Sequence, residues 1–422
     1  MTDRRARTAV WAGFAVVHGW LAFVGVVLAP RQAFHDVDLY RWWMDLGLNV
    51  GLWPVFDGPW VYPVGAIVPM ALPGLGSATS TTGYAIGWCL LVTLLNGAAV
   101  SALLRRGRTG AFGAGWWLAF IAALGPVAMG RLDGVIAPVM VLALVVAVER
   151  PRVAAALMTV GAWIKVAPGI LVLPLAASTR RPVRDVVLPA AAVCAVVVGA
   201  VAALGGGEHL LSFLTQQSDR RLQVESVAAT PWAVLRAIDS SDAVFSLNQS
   251  LVTWEVASPA ATSTARVLDV ALVLAVGAAG VLLWWAGARG RHGAALLPGA
   301  LLMLTLLVVF NKVGSPQFLT WLAPPVAVAI ARSGPASGAG PGTAVGRRVE
   351  RWVPVAAVLG LVAAALTQVV FPWGYEAYLE GHAGVTAALV VRNALIVALA
   401  VVVARALVAV AREPEDARDQ PA

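Results

Sequence analysis

A polar stretch near the N-terminus, residues 31–63, combines residue types that can do chemistry. It carries Asp36, Asp38, Asp45 and Asp57 among His35 and several Trp and Tyr side chains, in a chain that is only 12% charged and 59% hydrophobic. A carboxylate here could take a proton from a substrate hydroxyl. The alternative is an interfacial belt of aromatic residues, with acids that cap a helix lying on a bilayer. We interpret the stretch as a candidate reaction site.

The composition predicts an all-α polytopic membrane protein. Mean hydropathy is +0.80, and apolar runs of roughly 20 residues recur without the alternation of barrel strands. The net charge of +8 comes from arginines in short loops, which indicate membrane topology rather than nucleic-acid binding. Cys89 and Cys194 lie inside apolar runs, so we expect neither a disulfide nor a metal site.

The arginine clusters make the order of membrane crossings predictable. A basic start followed by a long apolar run predicts a retained first span with a cytoplasmic N-terminus, which places residues 31–63 outside the cytoplasm. If the later clusters are also cytoplasmic, one of the two apolar pieces between residues 64 and 104 must not cross fully, and the shorter, residues 64–75, is predicted to be re-entrant. By the same reasoning, a single crossing by residues 153–178 would place one of the two flanking arginine clusters outside. We therefore predict two short arms that meet near residues 164–168, with Lys165 near the outer half.

We expect residues 1–412 to form one membrane domain with about 10 to 13 helical segments. The predicted outer loops are residues 31–63, 205–259 and 371–384. Residues 333–350 are rich in Gly, Pro, Ala and Ser and are predicted to be a cytoplasmic linker. The polar tail, residues 413–422, is predicted to be disordered.

This topology collects charged residues on the outer side. The chain has 2 lysines, Lys165 and Lys312, against 28 arginines, from 30 minus 2. Lys165 stands inside an apolar run, where a charge by default marks a site. The alternative is a snorkelling side chain or a structural pair with an acid such as Asp133. The other outer charges are Asp36, Arg131, Arg220, Arg221 and Glu225.

One carboxylate with several cations suits attack by a sugar hydroxyl on a donor whose leaving group is a phosphate. The sequence contains no phosphate loop and no dinucleotide-binding half. A lipid-borne phosphosugar therefore fits better than a nucleotide sugar. No metal or other cofactor is predicted, and no nucleic-acid partner.

Several motifs carry a family resemblance. Residues 36–40, DVDLY, followed by Tyr62 and Pro63, and the segments RLDGVIAPVMVLAL, GAWIKVAPGILVLPL, LNQS and SPQFLTWLAPP resemble the GT-C glycosyltransferases of family 87, typified by polyprenyl-phosphomannose-dependent mannosyltransferases of actinobacteria. The resemblance implies a GT-C helix bundle whose extracytoplasmic loops form the active site, Asp36 as catalytic base with Asp38 as fallback, Lys165 near the donor phosphate, and inversion at the anomeric carbon.

The chain also departs from the family pattern. Val64 replaces the second proline of the Tyr-Pro-Pro element, and Gln317, Phe318 and Thr320 stand where family mannosyltransferases carry histidines. This departure leaves the acceptor and the sugar open. His35, beside Asp36, is a candidate replacement.

The sequence therefore predicts a multi-pass enzyme of the cytoplasmic membrane that moves a hexose, mannose by the resemblance, from a polyprenyl-phosphate carrier to a lipid or cell-wall glycan. A lipid-linked sugar flippase, a non-catalytic cell-wall assembly subunit and an inactive homologue are the alternatives. The predicted donor-phosphate ligands are Arg131, Lys165, Arg220 and Arg221. The predicted acceptor or sugar contacts are His35, Tyr40, Tyr62, Asp133, Trp232 and Gln317.

Overall fold

The structure is a computed structural model that describes residues 3–218, 220–240, 244–249, 253–333 and 351–412. Nearly all of the predicted linker and the whole predicted tail, residues 334–350 and 413–422, lie outside these ranges. Within them, eight helices are long and apolar enough to cross a membrane. The prediction of an all-α polytopic membrane protein is confirmed.

The first third of the chain alternates long and short helices. Helix α4 has only eight residues and contains Pro73, so it is too short for a bilayer core of ~30 Å. Ser80 caps α5 by accepting a hydrogen bond from the Gly83 N–H at 3.1 Å. The helices are α1 Asp3–Phe23, α2 Pro30–Ala33, α3 His35–Asp45, α4 Ile67–Gly74, α5 Thr81–Leu104 and α6 Gly107–Leu124, with π turns Val24–Leu28 and Leu46–Val50 and 3-10 turns Val64–Ala66 and Gly125–Ala128.

The middle of the chain contains a broken span. Helices α7 Asp133–Val146 and α8 Pro151–Ile164 are followed by a 3-10 turn, Ala167–Leu171, and α9 Val172–Ala177. Between α8 and the turn, Lys165 adopts an extended backbone with φ −153° and ψ 134°. Pro168, which has no N–H to donate, favours the break. The predicted pair of short arms meeting near Lys165 is confirmed as local structure.

The second half contains the longest predicted outer loop, residues 205–259, which is called the outer loop below, and the remaining long helices. Residues 205–259, for which the sequence predicts only a polar loop, contain an antiparallel pair of strands in which Phe245 pairs with Val256. The elements are π turn Val183–Val187, α10 Leu188–Ala203, α11 Ser212–Ser218, α12 Thr230–Ala237, β1 Phe245–Asn248, β2 Thr253–Val256, α13 Pro259–Ala288, α14 His292–Val309, α15 Leu319–Arg332, α16 Trp352–Gln368, π turn Val369–Trp373, α17 Tyr375–Glu380 and α18 Ala383–Arg412, with 3-10 turns Gly207–His209, Val227–Ala229 and Pro316–Phe318.

Helices α6, α7, α14 and α15 form the centre of the bundle, and their apolar side chains are largely buried. Helices α10 and α13 instead expose many apolar side chains, as expected of helices that face lipid. A second, smaller hydrophobic cluster lies under the outer loop and joins it to α17 and α18. The outer loop is therefore packed against the bundle.

Several arginine-rich loops gather at one end of the bundle. Arg106 pairs with Glu149 at 2.7 Å, and Arg332 donates to the Val145 carbonyl at 3.1 Å. Arg152 pairs with Asp185 at 2.9 Å. The sequence analysis places the arginine clusters on one side of the membrane, and the grouping of these loops agrees with that arrangement. Which end faces the cytoplasm stays a prediction.

Candidate active site

At the start of α3, the Asp36 carboxylate meets the Arg131 guanidinium. Their Oδ1 and Nη1 atoms are 2.8 Å apart, and the side chains are 25% and 7% exposed. The alignment is not that of a hydrogen bond: the buried Nε and Nη1 of Arg131 have no hydrogen-bond partner among the described residues. Arg131 therefore keeps unused donors beside a partly accessible carboxylate, an arrangement that suits an anionic ligand.

The loop that carries Arg131 approaches α2 and α3 very closely. A Cβ atom at Gly130 would lie 2.6 Å from the Ala33 carbonyl oxygen, so only glycine fits without a shift. Tyr40 accepts a hydrogen bond from the Leu132 N–H at 3.3 Å. Trp88 donates to the Met129 carbonyl at 2.8 Å. These contacts fix the position of Arg131 against Asp36.

Lys165 occupies the break between α8 and α9 and points to the same region. Its Nζ lies 2.6 Å from Oδ2 of Asp133 and 5.7 Å from the ring centroids of Tyr62 and Phe318. Asp133 is fully buried and also accepts a hydrogen bond from Trp321 Nε1 at 2.6 Å. The pair with Asp133, foreseen as the alternative for Lys165, is present. It uses one of the three ammonium donors and leaves Asp133 no surface for a ligand.

Electrostatics keep Asp36 ionised. Burial acts to raise the pKa of Asp36, but Arg131 and His35 outweigh it, and Lys165 adds to their effect, so the pKa is below its ordinary value. The Asp36 carboxylate, with Oδ1 3.7 Å from Nδ1 of His35, in turn raises the pKa of His35 above its ordinary value. Asp36 is therefore a carboxylate held among cations.

Asp38 has a different environment, although it lies only two residues further on. It is 52% exposed and pairs with Arg41 at 2.8 Å, and it accepts a hydrogen bond from Thr81 at 3.2 Å. These contacts attach α3 to the start of α5. No contact joins Asp38 to Arg131 or Lys165 in the described structure.

The structure separates the two adjacent arginines of the outer loop. Burial lowers the pKa of Arg220, and the neighbouring Tyr62 and Glu255 oppose part of this shift; its buried Nε has no hydrogen-bond partner in the described ranges. Arg221 is exposed, and its backbone N–H donates to Glu255 at 3.4 Å. Arg220 thus belongs to the cluster around Tyr62, whereas the Arg221 side chain is directed to solvent.

Aromatic rings pack around this cluster. Tyr62 meets Tyr40 edge to face at 6.2 Å, and Trp60 at 5.5 Å. Burial raises the pKa of both tyrosines, so their hydroxyls stay neutral and can donate hydrogen bonds. Trp232, in contrast, packs against the smaller cluster under the outer loop. Gln317 lies in the 3-10 turn that carries Phe318 and is half-buried.

Sequence reasoning assigned no role to a second acid–arginine pair. Arg392, in α18, lies 3.5 Å from Oε2 of Glu225 and donates to the Glu225 carbonyl at 2.5 Å and to Asn393 at 2.8 Å. Burial raises the pKa of Glu225 to about 7. A lone arginine in an apolar run was the signal available for Arg392.

The fold and this cluster define a membrane protein with an acid and several cations gathered at one end of a helix bundle. The family model of glycosyltransferase family 87 matches residues 60–310, more than half of the 422 residues. The chain belongs to this family and is a membrane glycosyltransferase. The match includes Tyr62, Arg131, Lys165 and Arg220, while Asp36 precedes it. No curated protein sequence matches the chain.

Proposed function

We propose that this glycosyltransferase moves a hexose, mannose by the resemblance, from a polyprenyl-phosphate carrier to a lipid or cell-wall glycan on the outer side of the cytoplasmic membrane. The observation that carries the proposal is the partly exposed Asp36 carboxylate, 2.8 Å from Nη1 of Arg131, whose Nε and Nη1 have no hydrogen-bond partner among the described residues. An acid and a cation with free donors are the two groups that such a transfer needs.

In the proposed reaction, Asp36 takes the proton of the acceptor hydroxyl. The acceptor oxygen forms a bond to the anomeric carbon while the bond from that carbon to the phosphate oxygen breaks, and polyprenyl phosphate leaves with the electron pair. Arg131, Lys165 and Arg220 stabilise the charge that grows on the phosphate. Inversion at the anomeric carbon follows from the single displacement that the resemblance implies.

Arg131 links donor binding to the basicity of Asp36. In the free protein the pKa of Asp36 is below its ordinary value, so the carboxylate is a weak base. A bound phosphate would attract the Arg131 guanidinium and add negative charge nearby, and both effects raise the pKa of Asp36. Asp36 would therefore become the stronger base when the donor is present.

The experiment is transfer of radiolabelled mannose by the purified protein to a membrane lipid extract, from polyprenyl-phosphomannose or from a mannose nucleotide. We expect transfer from the lipid donor alone, with release of polyprenyl phosphate. Transfer from the nucleotide donor, or transport of intact lipid donor across a vesicle membrane without transfer, would contradict the proposal.

Adjacent arginines supply a matched pair of variants for the donor site. Arg220→Gln removes a half-buried cation near Tyr62, so we expect the KM for the lipid donor to rise about 10-fold, the loss typical of one charge-assisted hydrogen bond. Arg221→Gln changes an exposed side chain and should leave KM within about 2-fold. Equal effects of the two variants would remove Arg220 from the donor site.

A further inference from the structure

At the arginine-rich end of the bundle, a cavity of about 370 Å³ lies between the ends of several helices. Its polar lining residues are Ser178, Thr179, Arg180, Asp185 and His292. None of them belongs to the proposed reaction site. The volume is in the range of small-molecule sites.

This cavity and the reaction cluster, Asp36, Arg131 and Lys165, lie at opposite ends of the same short helix, α8. Pro151, the first residue of α8, lines the cavity, and Lys165 follows its last residue, Ile164. A helix of 14 residues is about 20 Å long. A ligand in the cavity would therefore lie too far from Asp36 to be the reacting donor.

The charges around the cavity suit an anion. Arg180 lines it without a described ion pair, whereas the one acid in the lining, Asp185, is paired with Arg152 at 2.9 Å. Helices α8 and α14 both begin at lining residues, Pro151 and His292. The positive ends of their dipoles are thus directed to the cavity.

Two neutral polar groups add hydrogen-bonding capacity. The Ala177 carbonyl, which can only accept, lies 3.0 Å from Nδ1 of His292, so Nδ1 carries the proton and Nε2 of the neutral ring can accept a hydrogen bond from a hydroxyl of the ligand. The buried Ser178 hydroxyl has no hydrogen-bond partner in the described part of the chain. Such an unsatisfied buried group is uncommon in a finished protein interior.

We propose that this cavity is a binding site for a phosphate group, held by Arg180 and the Ser178 hydroxyl. The phosphate can come from an anionic lipid headgroup of the adjacent leaflet or from a soluble phosphate ion. A glycerophosphate headgroup is compatible with the cavity volume, and basic residues at this end would attract anionic lipid.

Calorimetric titration of the purified full-length protein in a maltoside detergent tests the site. The probes are dihexanoyl phosphatidylglycerol and inorganic phosphate. We expect Arg180→Gln to weaken binding about 10-fold, and the neighbouring Arg181→Gln, which does not line the cavity, to leave it unchanged. Binding of the lipid alone would assign the site to a headgroup, and binding of both probes to the phosphate group itself.

Two comparisons make the outcome decisive. Lys165→Gln alters the reaction cluster but not the cavity, so we expect the Arg180-dependent binding to persist in this variant. Phosphate binding in the cavity can therefore be confirmed even if the proposed function is wrong. Thermal stability of each variant, measured in the same detergent, should match that of the wild type. Failure of both probes to bind, or equal weakening by Arg180→Gln and Arg181→Gln, would overturn the proposal.

Discussion

Two acid–arginine pairs in this protein differ in what surrounds them. Asp36 is 25% exposed and Arg131 is 7% exposed, and Nε and Nη1 of Arg131 have no hydrogen-bond partner within the described ranges. Glu225 and Arg392 are only 5% and 4% exposed, and Arg392 is hydrogen-bonded to the Glu225 carbonyl and to Asn393. The first pair can accept a ligand, whereas the second is satisfied by the protein itself. The difference indicates that access and free donors, rather than charge alone, distinguish a reaction site from an anchor.

The Glu225–Arg392 pair is well placed to anchor the outer loop. It joins residues 167 positions apart, and Asn393 adds hydrogen bonds to Ser226 and Thr230. The outer loop also carries Arg220, whose position near Tyr62 depends on how the loop is held. The structural pair therefore positions part of the proposed donor site without contacting the reacting atoms.

Breaking the buried pair should have the largest effect on stability. Arg392→Met leaves Glu225 unpaired in a buried environment, at an expected loss of about 3 to 5 kcal/mol. Thermal unfolding in detergent at pH 8 would show this as a lower Tm. The double variant with Glu225→Met should recover most of the loss, because no buried charge remains. A stable but inactive Arg392→Met protein would instead place this pair in the reaction.

A second prediction changes the distance between Asp36 and Arg131. Gly130→Ala forces the Arg131 loop away from Ala33, since a Cβ atom would lie 2.6 Å from its carbonyl oxygen. A misplacement near 1 Å lowers the rate of an enzyme by roughly 100-fold, and we expect a loss of this order in sugar transfer. Gly115→Ala is the control, because nothing lies within 4 Å of its added carbon. Equal activities of the two variants would show that this close approach is not needed.

The smallest expected effect is a change of stability with pH. The pKa of Glu225 is raised to about 7 from an ordinary value of 4.5, so the folded protein holds this proton more tightly than the unfolded chain. Its contribution to stability is fully present below pH 4.5 and is lost as pH rises through about 7. We expect Tm to fall between pH 5 and pH 8 in the wild type, and to fall less in Glu225→Gln. An identical pH dependence in both proteins would contradict the assignment.

The sequence predicted the helical membrane fold and the break at Lys165, because apolar runs and arginine clusters report directly on membrane crossing. It also indicated that Asp36, Arg131 and Lys165 belong on one side. The sequence could not predict the directions in which side chains point. The sequence grouped Arg220 with Arg221, and Asp133 with the sugar contacts, whereas the structure gives Arg220 and Arg221 different environments and buries Asp133 beneath Lys165.

Long-range contacts account for what sequence reasoning missed. The Glu225–Arg392 pair depends on packing between the outer loop and the last helix. The paired strands Phe245–Asn248 and Thr253–Val256 are four residues long, too short for a clear alternating pattern. The cavity at the arginine-rich end forms only where several helix ends meet. None of these features leaves a periodic signal in the chain.

The most direct test of the central claim compares Asp36→Asn with Asp38→Asn in sugar transfer and in donor binding. If Asp36 is the base, Asp36→Asn should lower the rate by about 100-fold or more while the lipid donor still binds. Asp38→Asn, which breaks an exposed pair with Arg41, should keep most of the activity. Full transfer by Asp36→Asn, or a selective loss in Asp38→Asn, would contradict the assignment of Asp36 as the base.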